Sequence, residues 1–438
     1  MDSGPVEERT RGARDEVVGL CSDLIRFESV NPTGTERAVA EYVAAHLEEV
    51  GLETTLLESE PGRASVVTRI EGSDPGRGAL LVHGHLDVVP ADPADWTVHP
   101  FSGEVRDGCV WGRGAVDMKD MVAMTIAVAR DLVRSGRRPP RDLVLAFVAD
   151  EEAGGTKGAQ FLARQHPELF DGCTEAISEV GGFSYTVSDD LRLYLIETAQ
   201  KGMAWMRLTA KGTAGHGSMV NHDNAVTALC EAVARLGRHQ FPVRVTKTVE
   251  AFLDQTSEAL GIELDPDDMD ATVAKLGPLA RMIGATLRNS AAPTVLEAGY
   301  KVNVIPGEAH ALVDGRFLPG FEEEFLAEVD EVLGPRIQRE MVHRDIALET
   351  DFDGALVDAM ADALRAEDPG ARAVPYCLSG GTDAKSFSTL GMRCFGFSPL
   401  RLPPDLDFSG MFHGVDERVP VDALDFGVRV LDRFLARS

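Results

Sequence analysis

Ala79-Leu80-Leu81-Val82-His83 followed by Gly84-His85-Leu86-Asp87 is the stretch on which the reading of this chain turns. The first five residues form a short apolar run of strand length, and the run ends in an imidazole and a carboxylate. Two further runs end the same way. Leu143–Ala149 leads into Asp150-Glu151-Glu152, and Ala176–Ser178 leads into Glu179-Val180-Gly181-Gly182. In an open α/β sheet, sites collect at the carboxyl ends of the strands. Between the first two runs lies Gly112-Arg113-Gly114-Ala115-Val116-Asp117-Met118-Lys119, with Asp117 on a glycine-rich turn just ahead of a helix.

These residue types suit metal-assisted hydrolysis. His85 can offer one ring nitrogen to a cation, and Asp87 can accept a hydrogen bond from the other, which fixes tautomer and ring plane. Glu151 and Glu152 are adjacent, so their side chains diverge. One can bind metal while the other faces the attacking water as general base. Taken singly each motif has a plainer reading: a surface histidine beside a capping aspartate, or a solvated pair of glutamates opening a helix.

Outward from these motifs the chain alternates strands with helices. Val17, Leu20, Cys21, Leu24 and Ile25 share one helical stripe. Val39, Tyr42, Val43, Leu47 and Val50 share another, ended by Gly51. Strands are expected at 54–57, 65–70, 79–83, 107–111, 143–149 and 176–178, with a helix over 119–134. The texture changes near residue 200. A strand over 203–209, helices over 225–236 and 322–333 and a strand near 346–348 read as a separate α+β unit. The acidic stretch 254–270 reads as a surface excursion. The α/β texture resumes with a helix at 357–366, strands at 373–377 and 394–397, and a last helix over 422–435. This divides the chain into 1–200 and 351–438, which build one domain, and 201–350, which is inserted into it.

The 438 residues are 44% hydrophobic, enough for two domains with buried cores. A net charge of −28 repels phosphate backbones and anionic lipid, which argues against nucleic-acid and membrane roles. The six cysteines are scattered without a CxxC pair, so they read as small core residues rather than disulfides or zinc ligands. No apolar leader follows Met1, and no run of about 20 apolar residues exists, so a cytoplasmic enzyme is expected.

Beyond these residues, His85-Leu86-Asp87-Val88-Val89-Pro90, the 112–119 segment and Asp150-Glu151-Glu152 resemble the signature blocks of the M20 metallopeptidase family. So do Gly215-His216-Gly217-Ser218, Lys301–Gly307, Asp314-Gly315-Arg316, Gly380-Gly381-Thr382-Asp383 and Phe412-His413-Gly414, in the expected order. The resemblance spans roughly residues 15 to 435. The family includes aminoacylase, acetylornithine deacetylase, succinyl-diaminopimelate desuccinylase, carnosinase-like dipeptidases and glutamate carboxypeptidase.

The resemblance implies an α/β fold: a zinc-aminopeptidase-like catalytic domain with an inserted α+β lid, through which such chains form homodimers. It implies two zinc ions, with cobalt or manganese as substitutes. His85, Asp117 and Glu179 would hold one, and Asp117, Glu152 and His413 the other. Glu151 would be the general base, and Asp87 the partner behind His85. A cis peptide is expected at Asp117–Met118. Asn303, Arg316 and Gly380, Gly381 and Thr382 would bind the carboxylate of a small-molecule or short-peptide substrate, and His216 would reach the scissile carbonyl from the lid. A glutamate rather than an aspartate at 179 leans away from the dipeptidase branch. A non-catalytic binder on the same fold would have lost a ligand or the base, and none is missing here. A serine hydrolase would need a GxSxG elbow, and Gly215–Met219 does not form one.

Overall fold

The structure, a computed structural model, describes residues 10–263, 265, 268–276 and 279–438. The N-terminal arm up to residue 9, and residues 264, 266 and 267 of the acidic stretch, lie outside the described residues. The chain forms two compact units. One comprises residues up to Thr198, Thr350–Pro375 and Thr382–Ser438; the other comprises Ala199–Glu349 and Tyr376–Gly381.

The first unit is built on a mixed sheet. Its strands run Thr54–Glu58, Ala64–Ile70, Leu143–Val148, Ala79–His85, Cys173–Ser178 and Arg393–Gly396 in spatial order. The last four are mutually parallel, so their carboxyl ends share one edge. Every residue of Ala79–His85 and of Leu143–Val148 is buried. Strands covered on both faces cannot alternate polar with apolar residues, which is why these two read as continuous apolar runs.

Helix Lys119–Arg134 packs on Ala79–His85 and against helices Arg11–Ile25, Arg37–Glu48 and Val421–Leu435. Nearly all of it is buried. Each fully buried Val, Leu, Ile or Met contributes on the order of 1.5–3 kcal/mol, so packing rather than helix propensity holds it in place. Lys119 is buried with the apolar residues, and its Nζ donates to the Phe27 carbonyl at 2.8 Å.

The second unit carries a four-stranded antiparallel sheet in the order Ser290–Ala298, Glu308–Phe317, Gly202–Lys211, Ile337–Asp345. Helices Ala225–Arg238 and Glu322–Leu333 pack together beside it. Met206, Leu208, Leu229, Phe317 and Phe325 fill the core between. With Val105 and Val415 apart, every exposed large hydrophobic side chain among the described residues belongs to this unit, including Trp205, Val295, Leu296 and Val342.

Most expected elements form within a few residues of the ends read from sequence, and the helices at 119–134 and 322–333 match to the residue. Three expectations change. The strand near 346–348 is preceded by a longer one, Ile337–Asp345, whose mixed, mostly exposed side chains hide its period. Part of the acidic stretch is no mere excursion: Lys247–Leu260 is a helix, capped by the Thr246 hydroxyl and anchored by buried Phe252 and Leu253. Of the six cysteines, Cys230 is exposed rather than a core residue. No helix among the described residues is long and apolar enough to cross a membrane.

Candidate metal centre

His85 closes its strand, Asp150 to Glu152 follow the neighbouring strand, and Glu179 follows Ser178 on the next. Three separate segments therefore reach the carboxyl edge of the parallel sheet together. Asp117 arrives from the loop ahead of helix Lys119–Arg134, and its peptide bond to Met118 is cis. Met118 seats itself against the strand. A Cβ on Gly84 would stand 2.7 Å from the Met118 Cε, so the glycine lets this side chain lie directly on the strand. The Met118 sulfur accepts the His85 backbone N–H at 3.2 Å.

Two clusters result. His85 Nε2 lies 3.0 Å from Asp117 Oδ1 and 3.4 Å from Glu179 Oε2. His413 Nε2 lies 3.3 Å from Asp117 Oδ2 and 3.1 Å from Glu152 Oε2. The two oxygens of Asp117 thus face different clusters. Within each cluster the donor atoms lie within 4.8 Å of one another. Ligand atoms about 2.1 Å from one tetrahedral ion stand about 3.4 Å apart, so these separations fit a cation with little movement. Glu152 Oε1 is buried and has no hydrogen-bond partner, as expected of an oxygen reserved for a cation.

The electrostatics favour positive charge. The bonds from Asp117 and then Glu152 raise the His413 imidazole to about 10. Burial lowers His85, but Glu179 and Asp117 outweigh it and hold the ring protonated well above its ordinary range. Burial pushes Asp117 up; the bonds from His413 and His85 overcome this and hold it well below the usual carboxylate range. In the metal-free chain these protons supply the charge that a cation would bring. Burial, then the Glu179 charge, push Glu151 well above its ordinary value, the direction that strengthens a carboxylate as a base.

Asp87 differs from expectation. His85 Nδ1 bonds the Asp87 backbone carbonyl at 2.9 Å, while the Asp87 carboxylate stands 3.6 Å away. That carboxylate accepts the backbone N–H groups of Glu151 and Glu152, each at 3.1 Å, and Asn31 Nδ2 at 2.9 Å. Donors at the start of the 151–153 turn lie closer than the ring does. Asp87 therefore ties the His85 strand to the Glu151–Glu152 turn. Asn31 also donates to Asp150 at 3.1 Å. Asn31 belongs to none of the motifs above, and nothing but the proline beside it marked this bridge.

His83 behaves as a core residue. Its ring packs 4.7 Å from that of Phe387, and burial lowers it to about 3, so it stays neutral. Thr382 is buried in the first unit. His216, Asn303, Arg316, Gly380 and Gly381 belong to the second. There His216 and Asn303 are neighbours: Gly215–His216 pairs with Val304–Ile305, the Gly217 N–H donates to the Asn303 carbonyl at 2.9 Å, and both side chains are exposed. His216 Nδ1 lies 2.8 Å from Ser218 Oγ. Arg316 is half-buried, with Nε and Nη2 donating to Asp314 at 2.7 and 3.2 Å. Nη1 makes no bond to Asp314.

The model of peptidase family M20/M25/M40 matches residues 81–437. An N-fatty-acyl-amino acid synthase/hydrolase of Xenopus tropicalis is 26% identical over 99% of this chain and 88% of its own length. Aminoacylase-1 of Sus scrofa is 26% identical over 96% of this chain and 94% of its own. Among solved structures, an M20 metallo-carboxypeptidase from Sulfolobus solfataricus superposes with a TM-score of 0.72 at 17% identity, covering 97% of this chain and 99% of that one. The chain belongs to the M20/M25/M40 peptidase family. It is accordingly a hydrolase with the mixed α/β fold of that family, whose members work with metal ions.

Proposed function

We propose that this enzyme cleaves an amide bond in a small substrate carrying a free carboxylate, an N-acyl amino acid or short peptide, with two zinc ions and Glu151 as general base. The observation that carries this is the pair of clusters sharing Asp117 beside Glu151. His85, Asp117 and Glu179 would hold one ion and Asp117, Glu152 and His413 the other; cobalt or manganese could occupy the same atoms. When bound, the cations would lower the pKa of an attacking water and polarise the scissile carbonyl. Glu151 takes the proton as that water attacks and hands it to the leaving amine. Asp87 keeps Glu151 in place through the backbone bonds described above.

Substrate positioning falls to Arg316, Asn303 and the 380–382 turn. With its Nε side held by Asp314, Arg316 presents the Nη1 edge, still a planar pair of donors suited to a carboxylate. Arg316→Ala should raise KM roughly 10- to 100-fold, the loss of a hydrogen bond between charged groups, with kcat changed far less. Steady-state kinetics on an acid substrate and its carboxamide would check this. An equal loss on both would remove the carboxylate role. His216 would stabilise the developing oxyanion from the lid formed by residues 201–350.

The exposed apolar side chains gathered on the second unit support a homodimer through that lid. Sedimentation should give twice the 47.2 kDa chain mass, and Val342→Asp should shift it to the monomer. A monomeric wild type would refute this. Scattered cysteines favour a cytoplasmic setting. The relatives named above include acyl-amino-acid hydrolases and a carboxypeptidase, so a dipeptidase or carboxypeptidase activity is the alternative. A panel of N-acetyl, N-succinyl, carbamoyl and dipeptide substrates with zinc decides. Turnover of an N-acyl amino acid is expected, turnover of peptides alone would favour the alternative, and no turnover at all would overturn the reading.

A further inference from the structure

We propose that Arg113 and Glu417 form a positioning clamp that fixes the separation of the Asp117 and His413 loops and so sets how tightly the His413 cluster holds its cation. This rests on the cation assignment above. Both residues are almost wholly buried, and Arg113 Nη1 donates to Glu417 Oε2 at 2.7 Å. The other Glu417 oxygen accepts the backbone N–H groups of Val116 at 2.7 Å and Asp117 at 3.1 Å. Arg113 Nη2 reaches the opposite loop, donating to the Gly414 carbonyl at 2.9 Å, with the His413 carbonyl at 3.4 Å. The ring of Trp96 covers the guanidinium, its centroid 5.2 Å away.

The clamp continues a short ladder. Arg418–Pro420 pairs antiparallel with Cys109–Trp111, and the Gly112 N–H donates to the Glu417 carbonyl at 2.9 Å. Beyond the ladder the His413 loop needs external ties, because His413 and Asp416 both hold a left-handed backbone, at φ 58° and 59°. Asp416 is tied by Thr97, whose N–H and hydroxyl each donate to its carboxylate at 2.7 Å. On the His413 side, the carbonyls of His413 and Gly414 face the Arg113 guanidinium. Only a planar fork spans Glu417 and Gly414 together, so lysine keeps the charge and loses the reach.

The test is a zinc titration of wild type and Arg113→Lys, following bound metal per chain by elemental analysis, alongside kcat and KM. The first zinc should bind Arg113→Lys as it binds wild type, and the second at least about tenfold more weakly. The fall in kcat should be recovered by excess zinc, with KM unmoved. Glu417→Gln, which loosens the shared Asp117 loop, should weaken both. Wild-type affinity for both ions in Arg113→Lys would overturn the clamp. Breaking a buried ion pair risks unfolding, so a charge-free double variant, Arg113→Met with Glu417→Leu, serves if Arg113→Lys fails to fold. It removes both sides of the clamp, so both ions should bind more weakly, and retained affinity there also overturns the proposal. A wild type that binds no zinc would defeat the cation assignment, and the clamp with it.

Discussion

Glu151→Gln should leave both zinc ions bound and slow turnover by about 10²- to 10⁴-fold, the usual contribution of a positioned general base. The substitution exchanges one carboxylate oxygen for an amide nitrogen and preserves volume. The Glu151 backbone N–H still donates to Asp87, so the turn keeps its anchor. The Glu151 side chain belongs to neither three-donor cluster, and metal content should not change. What disappears is a group whose proton affinity burial and the Glu179 charge have raised. An amide cannot accept the proton that attack releases, nor deliver one to the leaving amine. Elemental analysis alongside single-turnover kinetics would check the claim, and full activity in a metal-loaded variant would remove Glu151 from the reaction.

Chelation should abolish activity outright and lower the thermal midpoint, and zinc should restore both. The metal-free site gathers Asp117, Glu151, Glu152 and Glu179 in a small volume, relieved by the protons on the two histidines and by the raised proton affinity of the glutamates. Cations remove that repulsion and bind the folded chain alone. A ligand a thousandfold above its Kd adds roughly 4 kcal/mol to stability, so the midpoint should move by several degrees. Calorimetry with and without a chelator would measure it. Activity that survived with no detectable metal would end the metal hypothesis.

The parallel sheet was legible because burial on both faces leaves unbroken apolar runs, as at Leu143–Val148. The residues at the ends of those runs were legible because a carboxylate directly after such a run is costly without a purpose. The strands of the second unit were harder. Ile337–Asp345 exposes most of its side chains, so nothing apolar repeats along it. The contribution of Asp87 was misread for a different reason. Sequence shows which residue types sit two apart, but not that two backbone N–H groups from another segment would reach the carboxylate first. Asn31, Arg113 and Glu417 escaped similarly, since each acts by joining segments far apart along the chain.

The donors of the two clusters also differ in when a ribosome delivers them. His85, Asp117 and Glu179 all lie in the first half of the chain, so one cluster is complete before the inserted unit is even translated. The other already has Asp117 and Glu152 but lacks its imidazole until residue 413. A growing chain therefore holds all the donors of one cluster well before those of the other, which closes only when the segment around residue 413 folds back onto the sheet.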